Sequence, residues 1–404
     1  MWNVRNITLD DEEEYLLRKN NNIEMSKGQI DPLGFILFMI KFLWNWTMMK
    51  MWAFLIYIQI LGDLLAFSVQ LVINFDSKFF LQFVGHISIQ IFILVNIGNI
   101  IWTAEHMMDF ITRYMLKSLP LKINGKKEYE KTTMDCLFLK IFIVIAIILS
   151  ISNGLLHFYN DVYNENAVYL INFYRNNLPN FLASFLIFSY KCCLVIDPFM
   201  SVVSSFMISH YSFHTAFQLR IIKSFICKIC VTNCEEKEQY YNSTNQKCIT
   251  QRLKICIMLH QMICGEMNTL MKIIYKAILS YTIGVLFVGA GMMLTYLANG
   301  NENITKIMLS IGIFDGFLTI GLYAFNGQML KDESEELRRE LLNLPWYNMN
   351  KQNKSLYTIF LIRCEKPISF DTSLVQMDYL LMVRIFRALY SLSTIVSRAI
   401  HFQK

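Results

Sequence analysis

Seven apolar segments, each long enough to cross a bilayer, fill most of this 404-residue chain. A hydrocarbon core of about 30 Å needs about 20 helical residues to cross it. Lipid offers the backbone no hydrogen-bond partner, so each segment must pair internally. Helices are therefore predicted and a barrel is not. The spans are read at about 52–75, 79–101, 137–158, 181–209, 270–297, 304–325 and 374–400. With 54% hydrophobic residues, 17% charged and only 6 prolines, the chain has the composition of long, largely unbroken membrane helices.

Lys and Arg set the orientation, because basic loops stay cytoplasmic. The stretches 102–136, 210–269 and 326–373 hold most of them, among them Arg113, Lys122, Lys131, Arg220, Lys223, Arg252, Lys331, Arg339 and Arg363. The opposite loops hold Lys78 and Arg175. Seven crossings then put the N-terminus inside and the C-terminus outside. That is the reverse of a G-protein-coupled receptor, which this topology disfavours. The acidic run Asp10, Asp11, Glu12, Glu13 and Glu14 is not the basic start of a secretory leader. The net charge of +6 lies in membrane-side loops and calls for no nucleic-acid partner.

The cytoplasmic stretches have their own order. Leu253, Ile257, His260 and Cys264 recur at helical spacing, and Leu337, Leu341 and Leu344 share one side of a charged helix over 330–344. The fold class is thus all-α: seven transmembrane helices of inverted topology above a cytosolic helical anchor over about 210–269 and 326–367. Helices lying flat on the membrane surface are the other arrangement.

Charges inside a membrane need partners. Lys191 and Asp315 sit at similar depth and are expected to pair, or Asp315 meets a ligand; Asp63 and Asp197 are further candidates. Cys227, Cys230, Cys234, Cys248 and Cys256 have spacings near those of zinc sites, but the first three fall on one helical face. No metal and no cofactor is expected. In the cytosol these thiols stay reduced and pack, or carry an acyl chain. Asn303-Ile-Thr305 is a glycosylation sequon on the outer side. No hydrolase, zinc-protease or P-loop motif appears, so no enzyme is read. A transporter would favour internal repeats, and none is evident.

Landmarks in the last third carry a resemblance. Gly327-Gln-Met-Leu330, Ser334, Trp346-Tyr347, Leu361-Ile-Arg363-Cys-Glu-Lys366-Pro367 and Phe386-Arg-Ala-Leu-Tyr390-Ser391 follow one another as in insect odorant receptors. His260 and the stretch 281–297 also fit, so the match covers about residues 250–398. The related gustatory receptors usually carry a Thr-Tyr…Gln-Phe signature in the last span, which is absent here; a gustatory-type channel or a transporter is the alternative. The family's co-receptor has a large insert between spans four and five, and this chain lacks it. It therefore resembles a ligand-tuned subunit.

The resemblance implies an odorant-gated, non-selective cation channel in the plasma membrane of a sensory dendrite, assembled as a hetero-tetramer with the co-receptor. It also implies a pore lined by the last helix and a pocket for a small volatile in the outer half of the bundle. The expected pocket residues are Phe83, His86, Ile87, Gln90, Ser150, Asn153, Gly154, His157, Ser189, Tyr190, Met293, Tyr296, Ile311 and Phe314. Gly154 is read as leaving volume. At 100° per residue, Phe386, Leu389, Ser393 and Val396 share one face of the last span, free of Arg384 and Arg387, and are the expected pore residues. By position after Tyr390, Ser393 and Val396 resemble the family's outer gate. Asp378 lies on the same azimuth, either drawing cations to the pore mouth or serving as an ordinary helix-end carboxylate.

Overall fold

The computed structural model describes residues 34, 47–73, 77–117, 119, 126–159, 169–230, 243–298, 303–372 and 375–402. The chain order is α1 (Thr47–Ile73), α2 (Ser77–Lys117), α3 (Lys126–Tyr159), short α4 (Tyr169–Asn177), α5 (Asn180–Cys230), α6 (Ser243–Ala298) and α7 (Asn303–Leu342). A 3-10 turn (Trp346–Asn348), α8 (Lys351–Arg363) and α9 (Tyr379–Phe402) complete it. Among the described residues the protein is helical, with no strand beyond an isolated bridge between Asp371 and Gln376.

Among the described residues, five stretches are long and apolar enough to cross a membrane: Met51–Ile73, Phe83–Thr103, Tyr129–Leu156, Asn180–Asp197 and Ser243–Tyr296. The sixth and seventh expected spans are not among these. Along the apolar stretches, Phe54, Leu65, Phe138, Phe181 and Phe185 point outward. A soluble protein rarely exposes so continuous an apolar surface; lipid or another helix would cover it.

The helices run on past their apolar stretches. The charged helix expected over 330–344 is the end of α7, which runs on without a break from its apolar stretch and stops at Leu342. The expected break at Pro367 comes earlier. α8 ends at Arg363, where Cys364 leaves helical geometry. The chain then makes a small turn in which Met377 donates to the Phe370 carbonyl at 3.1 Å. α9 accordingly starts at Tyr379, later than the expected 374.

α6 packs along α2, and α5 lies between α3 and α7. The largest core joins the extended ends of these helices, with Phe217, Leu253, Ile263, Leu330, Leu337, Leu341 and Phe360 all buried. Arg220 on α5 clamps this region. It donates to Glu333 of α7 at 2.7 Å and to Asp135 of α3 at 2.6 Å. Burial works against its charge, but Glu333 and Asp135 outweigh that and hold the guanidinium above its ordinary value. One turn on, Lys223 pairs with Glu336 at 3.0 Å. Burial raises the Glu336 carboxyl, but Lys223 wins and the group stays below its usual range.

Candidate ligand site

Four polar side chains meet inside the helix bundle. His86 and Gln90 are one turn apart on α2, so they share a face. Asp63 comes from α1 and Tyr190 from α5. All four are buried, Asp63 completely at 0% exposed. The Tyr190 hydroxyl lies 2.9 Å from His86 Nε2 and 3.1 Å from Asp63 Oδ2. Its single proton therefore has two acceptors in reach. The Gln90 amide N–H donates to Tyr190 Oη and lies 2.8 Å from His86 Nε2. His86 is also within 3.6 Å of Asp63.

Acceptors outnumber donors here. Asp63 Oδ1 and Gln90 Oε1 are buried with no hydrogen-bond partner among the described residues. An unmet buried polar atom costs about 1–3 kcal/mol, so the cluster favours a guest that brings a donor.

Toward the N-terminal end of α2 the site turns aromatic. Phe67 and Phe79 stack at 5.6 Å, and Phe79 meets Phe83 at 5.0 Å. Tyr169, where α4 begins, stands edge-on to Phe79 at 5.2 Å and to Phe83 at 5.7 Å. Ile87 joins Phe67 and Phe83 in the same small core. The result is an aromatic and aliphatic site with a few convergent polar atoms, the build of a small-molecule site.

Of the expected pocket residues, the structure brings Phe83, His86, Ile87, Gln90 and Tyr190 together here. Ser150, Asn153 and Gly154 are buried on α3. Gly154 leaves no volume, contrary to the reading above. A Cβ there would sit 2.5 Å from the Val195 carbonyl oxygen, so glycine serves a close crossing of α3 and α5. Ser189 is exposed, Met293 and Ile311 half-buried, and Tyr296 and Phe314 exposed. The side chains of His157, Asp315, Val396 and Asn303 lie outside the described residues, as does Cys234. Asp63, Phe67, Phe79 and Tyr169 were not expected in the pocket. The buried charge of Asp63 was the signal for the first, but which helix would face it was not readable.

On α9 the expected pore residues separate. Leu389 is buried and lies where a Cβ on Gly289 of α6 would come within 2.7 Å of it. Phe386 is 41% exposed and stacks on Phe317 of α7 at 4.4 Å. Ser393 donates to its own helix at the Tyr390 carbonyl, 2.8 Å away. The outward face of the helix holds Val383, Arg387 and Tyr390. Asp378 is buried; its Oδ1 accepts from the Leu381 N–H at 3.1 Å, capping α9, and its Oδ2 lies 3.7 Å from Lys331.

Among the described residues, no three His, Cys, Asp or Glu side chains converge to hold a metal. Cys227 lies 3.8 Å from Glu340, and Cys227, Cys248 and Cys256 are in no disulfide. Cys364 is buried beside His260, and burial pushes its thiol up to about 12.

Residues 90–390 match the family described as 7tm Odorant receptor. The fold is similar to the insect olfactory receptor OR5 from Machilis hrabei, with a TM-score of 0.63 at 9% identity over 95% of this chain and 98% of that one. It is also similar to the same receptor in complex with eugenol, with a TM-score of 0.60 at 10% identity over 96% of this chain and 100% of that one. No curated protein matches the sequence.

Proposed function

This chain belongs to the odorant receptor family, and from that premise we propose that it is the ligand-tuned subunit of an odorant-gated, non-selective cation channel. It crosses the plasma membrane seven times with its N-terminus inside. It pairs with a co-receptor subunit, and α9 from each subunit lines a central pore. The observation that carries the ligand-binding part is the buried cluster of Asp63, His86, Gln90 and Tyr190 under the aromatic group of Phe67, Phe79, Phe83 and Tyr169. In the proposed topology this cluster lies in the outer half of the bundle. A structure of similar fold in complex with eugenol supports a small organic ligand for such a bundle.

The acceptor-rich cluster also narrows the ligand. A volatile alcohol or phenol donates its hydroxyl proton to Asp63 Oδ1 or Gln90 Oε1 and lays its carbon frame against the aromatic rings. A hydrocarbon of the same shape leaves both acceptors unmet. One hydrogen bond to a charged group contributes about 1.5–3 kcal/mol, so the alcohol is expected to be more potent by about tenfold or more.

The test is whole-cell current in cells expressing this chain with and without a co-receptor, against matched alcohols and hydrocarbons. A cation current evoked by the alcohols, only in co-expressing cells and with weakened potency in Tyr190→Phe, is the expected result. Current carried by this chain alone would replace the hetero-tetramer with a homomer. Equal potency of alcohol and hydrocarbon would remove the cluster from the binding site. Surface labelling of tags at each end reads the topology independently.

A further inference from the structure

A second site lies deeper in the bundle. Asn96, Asn99 and Thr103 follow Gln90 along α2 by six to thirteen residues, about 9–20 Å further down its axis. They line a cavity of about 40 Å³, closed on its other sides by residues of α5, α6 and α7, among them Ala277, Tyr281 and Tyr323. Asn96 is 4% exposed, and its Nδ2 has no hydrogen-bond partner among the described residues. Asn99 instead donates to Ser280 at 2.8 Å, tying α2 to α6. The Tyr281 and Tyr323 rings touch at 4.6 Å, joining α6 to α7. Among the described residues, no acidic or basic side chain lines the cavity.

We infer that this cavity binds a small uncharged molecule carrying a hydrogen-bond acceptor, a short ketone or similar carbonyl compound, whose oxygen accepts from Asn96 Nδ2. The buried amide N–H calls for an acceptor, and the described lining offers no charged side chain to pair with an ion. A water needs about 10–15 Å³ measured in this way, so the space takes a body of about three to four heavy atoms. The remaining wall, including Met107, Met207 and Ile274, suits a short carbon frame.

The consequence for gating rests on the receptor reading above. Both α6 and α7 pack against α9, so a guest wedged between them biases the helix proposed to line the pore. A short carbonyl compound would then act as a modulator beside the primary odorant.

Binding is tested first and without current. The full chain is placed in lipid nanodiscs, and ligand-observed saturation-transfer NMR is recorded over a concentration series of acetone. Saturable transfer is expected from the wild type. In Asn96→Leu, close to asparagine in volume, the half-saturation concentration rises about fivefold through loss of one hydrogen bond. In Ala277→Leu, which fills the cavity, saturable transfer disappears. Should Ala277→Leu fail to fold, Asn96→Leu decides the question alone. Transfer that never saturates in the wild type would mean that the cavity holds water only, and would overturn the proposal. Identical curves in the wild type and Asn96→Leu would overturn it equally. Lack of odour-evoked current in co-expressing cells would count against the receptor reading and leave the binding result standing.

Discussion

Two glycines on adjacent helices make a matched test of how α9 is held. A Cβ on Gly327 of α7 would fall 1.7 Å from the Met377 carbonyl oxygen, just before the residue that caps α9. Ordinary contact is about 3.5 Å, so the backbone must retreat by almost 2 Å, and no side-chain rotation relieves it. Such overpacking costs about 3 kcal/mol at the upper end. Alanine returns about 1 kcal/mol through better helix propensity, and the net loss is about 2 kcal/mol. A Cβ on Gly289 of α6 would come within 2.7 Å of the Leu389 Cδ atoms instead. That neighbour is the far end of a flexible side chain, and moving it off its rotamer costs about 0.5–1.5 kcal/mol. The helix gain offsets this, leaving Gly289→Ala near neutral. Thermal unfolding of detergent-solubilised chains, followed by fluorescence size-exclusion, reads the contrast. Gly327→Ala should lower the midpoint by several degrees, at about 2 °C per kcal/mol, and Gly289→Ala should hardly move it. The reasoning fails if Gly327→Ala is as stable as the wild type, or if Gly289→Ala is the worse of the two.

The other predictions concern charge and capping. Arg220→Ala strands Glu333, only 9% exposed, and should cost about 3–5 kcal/mol; a denaturant midpoint within error of the wild type would refute the clamp. His214, buried against Tyr114 at 5.2 Å, has its pKa lowered by burial from 6.5 to about 4. Above pH 6.5 both folded and unfolded states are neutral and the group contributes nothing. As pH falls from 6.5 to 4 the unfolded state binds the proton first, so stability declines, by about 2 kcal/mol at pH 5. The ratio of folded to unfolded protein at pH 7.5 and pH 5 should show that loss, and His214→Phe should remove it. For Asp378, the capping geometry predicts that Asp378→Ala loses about 1 kcal/mol while Asp378→Asn, also a good cap, keeps its stability. A shifted reversal potential in Asp378→Asn would place the carboxylate at the pore mouth instead.

What could be read from the sequence follows from which forces act locally. Apolar runs report burial in lipid or protein, so the segments stood out. Where a helix stops is decided by the first residue that interrupts the ladder, and so the charged residues 330–342 differ in composition from the apolar stretch before them yet continue α7. Likewise Phe83, His86, Ile87 and Gln90 share a face of α2 by spacing alone. Their grouping with Tyr190 and Asp63 depends on α1 and α5 arriving at the right depth, and no local pattern encodes that. Phe67, Phe79 and Tyr169 were invisible because an aromatic residue in an apolar run looks alike whether it meets lipid or a ring.

Glycine and helix azimuth show the same limit more sharply. A glycine in a helix permits either empty space or a close neighbour. At Gly154 the reading from sequence took the first, and the Val195 backbone 2.5 Å from the would-be Cβ decides for the second. On α9 a 100° rotation per residue puts Asp378, Leu389 and Val396 on neighbouring azimuths. It says nothing of whether that face meets its own bundle or a neighbouring subunit. The burial of Leu381, Ile385 and Leu389 turns part of that face toward α6 and α7. Val383, Arg387 and Tyr390, on the opposite side, are among the residues left outward. If α9 keeps this rotation in the open channel, Arg387 lies near the permeation path, and its positive charge would oppose cations. A cation channel therefore requires either that α9 turns on assembly or that Arg387 finds an anionic partner on the neighbouring subunit. Cysteine accessibility at Val383 and Ser393 in the assembled channel separates the two: modification that blocks current at Ser393 alone means rotation, and at Val383 alone means a partnered arginine.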